Sequence, residues 1–135
     1  MKTTTLNRHN YPVLGDAVGP YVHASSFQNV LYTSGLTAFG GDAQQKNVQL
    51  QINDIFRQIR LITNHHKVGL QDIIKVTVYI TDLSLLNEAR DALMTIYNGH
   101  FPASSLVKVD ALFHSDLLVE IEAVIALPAL ESQHS

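Results

Sequence analysis

The stretch DLLVEIEAVIAL, residues 116–127, constrains the fold more than any other part of the chain. It has the length and branched apolar content of a strand, and side chains along a strand alternate between faces. Val119, Ile121, Ala123 and Ile125 therefore point one way, and Leu118, Glu120, Glu122 and Val124 the other. A face with two carboxylates beside Leu and Val is too apolar to be simply wet and too charged to be a core. Two arrangements answer this. Either the face is solvated, with Glu120 and Glu122 paired to Lys75 or Lys108, or it meets another copy of the chain and puts Glu120 at or near an interface.

The remaining elements follow from periodicity. A short strand is expected around Thr3–Leu6, and YVHASSF (21–27) and VLYTSG (30–35) read as two more, joined near Gln28 and Asn29. From Gln45 to Val68, Val48, Ile52, Ile55, Phe56, Ile59 and Ile62 recur at helical spacing, with Gly69 as C-cap. IIKVTVYIT (73–81) alternates, with Ile74, Val76, Val78 and Ile80 on one face and Lys75, Thr77 and Tyr79 on the other. Asp82 or Ser84 caps a second helix, whose Leu86, Ala89, Leu93, Ile96 and Tyr97 face inward and which ends near Gly99 and Pro102. SSLVKV (104–109) and LLVEIEAVIA (117–126) close the chain as strands, with Leu106 expected on the carboxylate face. The order ββ-α-β-α-ββ predicts an α+β domain, residues 1–135, built as a two-layer sandwich of one mixed β-sheet covered on one face by two helices.

Composition narrows the function classes. The absence of Cys excludes disulfides, thiolate catalysis and Cys-ligated zinc. The N-terminus lacks an apolar targeting core and no run is long enough to span a bilayer, so a cytoplasmic protein with no membrane partner is expected. A net charge of −3 without any Lys/Arg cluster argues against nucleic acid. Seven histidines suggest metal, but His65 and His66 are adjacent and project about 100° apart, while His9 and His134 sit in termini expected to be flexible, so no metal site is expected. Ser34 lacks the G-x-S-x-G frame of a nucleophile elbow, and FGGD (39–42) reads as a plain turn.

Chemistry enters through a resemblance. GPYVHA (19–24), LYTSG (31–35), GLQDIIKVTVYITDL (69–83), FPASSLVKV (101–109) and VEIEAVIAL (119–127) together resemble the RidA/YjgF family of reactive-intermediate deaminases, over about residues 15–127. The resemblance implies a chorismate-mutase-like fold and a homotrimer with a ligand cleft between each pair of subunits, which favours the interface reading of the carboxylate face. It implies that Glu120 holds a water in that cleft, with Tyr21 and Ser34 at family positions. It also implies hydrolysis of enamines or imines, such as 2-imino acids, to 2-oxo acids and ammonia without metal or cofactor.

Two positions depart from the family. Ser104 stands where an arginine clamps the substrate carboxylate, and Leu106 where a pocket cysteine lies. A neutral hydroxyl cannot replace a charged fork, since hydrogen bonds to charged groups are worth roughly 1.5–3 kcal/mol. Counting from TDL (81–83), Arg90 falls where the family commonly has an asparagine that points into the cleft, so Arg90 is a candidate for the displaced positive charge. The expectation is a small-molecule cleft that either hydrolyses imines with altered specificity or binds 2-imino or 2-oxo acids without turnover.

Overall fold

The strand at residues 119–126, β6 (Val119–Ala126), alternates between buried and half-buried positions along its whole length, as the pattern of the sequence requires. In this computed structural model, which describes residues 5–129, β6 lies inside a six-stranded sheet. The other strands are β1 (Asn7–His9), β2 (Ala24–Phe27), β3 (Val30–Thr33), β4 (Ile73–Ile80) and β5 (Ala103–Lys108), in the spatial order β1-β2-β3-β6-β4-β5. Only β4 and β5 pair in parallel; the rest are antiparallel. Helix α1 (Val48–His65) connects β3 to β4, and α2 (Leu86–Tyr97) connects β4 to β5.

Directly opposed residues share a sheet face, so the register sorts the side chains. Val76, Val78 and Ile80 oppose Ala123, Ile121 and Val119, and all six are buried in the core that the helices cover. Thr77 opposes Glu122 and Tyr79 opposes Glu120 on the other face. Helix α1 supplies Ile52, Ile55, Phe56, Ile59 and Ile62, and α2 supplies Ala89, Leu93 and Tyr97. Phe56 and Tyr97 meet edge to face across the two helices, with centroids 5.6 Å apart, a geometry worth about 0.5–1.5 kcal/mol beyond burial. Leu86 and Ile96, expected inward, are only half-buried.

Four local expectations need correction. The N-terminal strand runs Asn7–His9, and the expected Thr3–Leu6 falls partly outside the described residues. In β4 the inward residue at the start is Ile73, 7% exposed, while Ile74 is 47% exposed; a register irregularity between Ile73 and Lys75 inverts the alternation there. Leu106 opposes Val78 and packs against the helix-covered core, so it lies on the face opposite the carboxylates. Gly69 does not end α1. The chain turns at Lys67, with φ of 62°, and Gly69 instead opens a 3-10 turn whose Asp72 carboxylate accepts from its N–H at 2.9 Å.

Turn chemistry elsewhere matches the sequence. Gln28 and Asn29 both take positive φ, as a two-residue hairpin demands. Asn47 caps α1 by accepting from Leu50 N–H at 2.9 Å. Asp82 accepts from Ser84 N–H at 2.9 Å, but it thereby caps the 3-10 turn Leu83–Leu85 and not α2, whose N-cap is Leu85 without a side-chain cap; Asn98, left-handed, ends α2. Among the described residues, no helix is long and apolar enough to cross a membrane.

Two polar clusters tie the loops down. Gln51 is fully buried in α1; its amide donates to the carbonyls of Gln44, Lys46 and Asp116 and accepts from Leu118 N–H at 2.9 Å. The segment leading into β6 is thereby fastened to the helix. At the other end of the domain, His9 sits in β1 rather than in a loose terminus and bonds Ser26 Oγ at 2.9 Å. Tyr11, almost fully buried, donates its N–H to His23 Nδ1 and shares a 2.7 Å hydrogen bond with His66. His65 and His66 close the group, their rings 5.0 Å apart. His134 lies outside the described residues.

Candidate functional site

Glu120 is half-buried on the face away from the helices, facing Tyr79 across β4. Its side chain lies against Gly35: a Cβ at that position would collide with the carboxylate. Gly35 belongs to the short segment after β3, where Leu36 and Ile121 exchange both backbone hydrogen bonds, at 2.8 and 3.0 Å. Glu120 is thus wedged between β6 and this segment. Burial raises its pKa, and the charge of Glu122 two residues on raises it further. The phenol of Tyr79 is raised too, through desolvation first and then Glu122 and Glu120. Among the described residues neither glutamate pairs with Lys75 or Lys108; Lys108 Nζ instead sits 3.6 Å from Asp110. The lysine pairing expected of a solvated face is thus not seen among the described residues.

The same Ser34–Gly35 segment also lines a cleft, of which Glu120 is not itself a lining residue in the single subunit. Tyr21, Ser34 and Gly35 line it, together with Leu14, Asp16 and Val18 from the loop before β2 and Phe39 and Phe113 at its mouth. Ser34 holds that loop in place: its N–H donates to His23 O at 2.9 Å and its hydroxyl to Val22 O at 2.6 Å. With its proton so committed, the hydroxyl keeps only acceptor capacity toward a ligand. Tyr21 is 44% exposed and lies on Gly19, where a Cβ would come within 2.9 Å of the ring. Tyr21, Ser34 and Glu120 are thus brought together around one short segment.

Ser104, Leu106 and Arg90 are not among them. Ser104 opposes Val76 on β5, which puts it on the helix-covered face, exposed at the sheet edge. Arg90 is exposed on α2, next to the inward-facing Ala89, in the helix layer. The sheet stands between all three and Glu120, so no single subunit unites them with it. Sequence reasoning also passed over Gly35, Asp16, Phe39 and Phe113. The signal available was two phenylalanines in otherwise polar loops, AFGGD (38–42) and ALFHSD (111–116).

Comparison with known proteins bears on the family and the fold. A family model described as Endoribonuclease L-PSP matches residues 13–127. The 2-iminobutanoate/2-iminopropanoate deaminase of Escherichia coli strain K12 is 30% identical over 125 residues, which is 89% of this chain and 94% of the relative. Among solved structures, YyfA from Yersinia pestis, a protein of unknown function of the conserved Rid family, aligns with a TM-score of 0.83 at 27% identity over 91% of this chain and 100% of that one. The YjgF gene product of Escherichia coli aligns with a TM-score of 0.73 at 28% identity over 82% and 90% of the two chains. On the sequence match, the shared fold and the motifs that carry both, the chain belongs to the YjgF/RidA family.

Proposed function

We propose that the protein hydrolyses imines or enamines to carbonyl compounds and ammonia, with Glu120 as general base, in clefts completed between subunits of a homotrimer. The observation that carries this is the state of Glu120: a half-buried carboxylate with a raised pKa, beside a second carboxylate and against a glycine that leaves it room. Such a group is a stronger base than an exposed one and is poised to take a proton from water. In the reaction, water oxygen bonds to the iminium carbon while Glu120 accepts the proton. The carbinolamine then collapses: Glu120 hands its proton to the nitrogen, the C–N bond breaks with loss of ammonia, and the carboxylate, again free, takes the hydroxyl proton as the carbonyl forms and releases it to ammonia or solvent. The chain's own groups suffice for these steps, and no cofactor is invoked.

Two features support a homotrimer. Among the described residues no element covers the face with Glu120, Glu122, Val124 and Tyr32, and Ser104, Leu106 and Arg90 would reach a Glu120 only if it belonged to a neighbour. In this reading Ser104 lines the cleft without clamping a carboxylate, and Arg90 provides anion recognition from the neighbour's helix layer. The ribonuclease named in the family description finds no support in a chain of net charge −3 without a Lys/Arg cluster. A cytoplasmic location is part of the same proposal, since imines arise where pyridoxal-phosphate enzymes work.

The test couples an amino-acid oxidase to the protein and follows imine decay. Faster decay that is lost in Glu120→Gln, with light scattering still giving three times 14.9 kDa, supports the proposal. A second reading rests on Ser104 as a neutral substitute: binding of 2-oxo acids without turnover. Calorimetric binding of 2-oxobutanoate with no effect on imine decay would favour it. Arg90→Ala should weaken that binding at least tenfold, about 1.4 kcal/mol, and Ser104→Arg should strengthen it.

A further inference from the structure

The mouth of the cleft is built from rings. Phe39, in the loop after the Ser34–Leu36 segment, is 40% exposed, and Phe113, in the loop between β5 and β6, is 58% exposed. They come from distant parts of the chain and still meet edge to face with centroids 5.0 Å apart. Tyr21, with Leu14 and Val18, continues the apolar wall down to Ser34 and Gly35. Asp16 is the one charged side chain lining this cleft among the described residues, and no Lys or Arg lines it. Large exposed rings converging on a site, rather than scattered singly, mark a place where an apolar group is received.

The loops that carry the rings are held firmly. The segment behind Phe113 is anchored by Gln51 through Asp116 O and Leu118 N, and the Asp116 N–H donates to His114 Nδ1 at 3.0 Å. The loop behind Phe39 is held where Gln58 donates to Thr37 O at 2.8 Å. The rings are therefore preorganised, which reduces the ordering cost that an apolar ligand would otherwise face.

From this we infer that Phe39 and Phe113 are specificity-determining residues, and that the cleft prefers imines whose side chain is an aromatic ring or a branched hydrocarbon over small ones. The inference rests on the imine-hydrolase reading of the site but extends it: a pair of exposed rings meeting edge to face can take a third ring against them, while the carboxylate shared by large and small 2-imino acids does not distinguish between them. A pocket of this kind discriminates hydrocarbon size by about ten- to two-hundredfold.

The test uses L-amino-acid oxidase to generate the imines of phenylalanine and of alanine, and measures their accelerated decay. The wild type should act on the phenylalanine imine with kcat/KM at least tenfold above that on the alanine imine. The double variant Phe39→Ala/Phe113→Ala should lose that tenfold preference, its loss on the phenylalanine imine being about tenfold larger than its loss on the alanine imine, and Phe113→Leu should retain most of it. Equal rates on both imines in the wild type, or an equal loss on both in the double variant, would overturn the inference. So would a change of oligomeric mass in the double variant by light scattering, since the rings would then be a subunit contact. If the wild type hydrolyses neither imine, the hydrolase reading fails by itself, and binding of phenylpyruvate against pyruvate decides. A tenfold preference abolished in the double variant supports the role of the rings, and no preference overturns it.

Discussion

Lowering the pH should unfasten the N-terminal segment before it unfolds anything else, and the histidine cluster around Tyr11 sets the size of the effect. His66 is pulled down from 6.5 to about 4, first by burial and then by the neighbouring His9 and His65. His9 is lowered as well, by burial and by His65. The groups facing His66 are His9 from β1, Tyr11 from the turn after it and His65 from α1; none of these can neutralise an imidazolium. Because the folded value lies below the unfolded one, the unfolded chain binds more protons as the pH drops. The stability is present above 6.5 and is lost as the pH falls toward 4. The full span corresponds to about 3.4 kcal/mol at 1.36 kcal/mol per pH unit. His66 is partly exposed, and solvent screening reduces this to about 1–2 kcal/mol. Urea unfolding at fixed protein concentration, from pH 7 to pH 4.5, should show the wild type losing that much more than His66→Gln, which cannot titrate. Parallel losses in the two proteins would refute the reasoning. Resistance of residues 7–23 to proteolysis should fall over the same pH window, as the Tyr11–His66 bond ties them to the end of α1.

Other outcomes follow from single contacts. Gln51→Leu keeps the side chain's bulk but strands three carbonyls and one N–H, and should cost about 2–4 kcal/mol by denaturant unfolding. Any imine hydrolysis should rise with pH through the raised pKa of Glu120, because the base must be unprotonated; a rise centred at or below 4.5 would point to another base. Lys67→Gly removes a left-handed non-glycine residue at the end of α1 and should stabilise the fold by about 0.5–1 kcal/mol, read as a higher melting temperature.

What was legible in the sequence was what repeats. The alternation of β6 and the helical period of α1 fixed both layers, and the apolar-acidic pattern of 118–124 marked the face that matters. Ile74 was misread because an irregular pairing inverts a two-residue period without leaving a trace in composition. Leu106 was misread because β5 sets two apolar residues, Leu106 and Val107, side by side, and alternation alone does not say which of them faces inward. Gly69 was misread because a cap glycine and a turn glycine look alike until φ is known. The motifs gave Tyr21, Ser34 and Glu120, which the fold gathers around one segment. They did not give Phe39 or Phe113, whose meeting depends on two loops that no local pattern connects. His9 and His66 were likewise separable only in sequence, 57 residues apart, and not in space.

The contact between Glu120 and Gly35 has a consequence for how this protein tolerates change. Gly35 does not have a left-handed φ, so its backbone would accept alanine readily; what excludes a methyl group is the carboxylate lying where the Cβ would be. The restriction is therefore borrowed from a residue 85 positions away, and it should vanish when that residue shrinks. In a selection for folded protein, Gly35→Ala should behave as a lesion whose second-site suppressors truncate position 120. Those revertants would regain solubility and remain without the base, so that folding and chemistry could be inherited separately at this one pair.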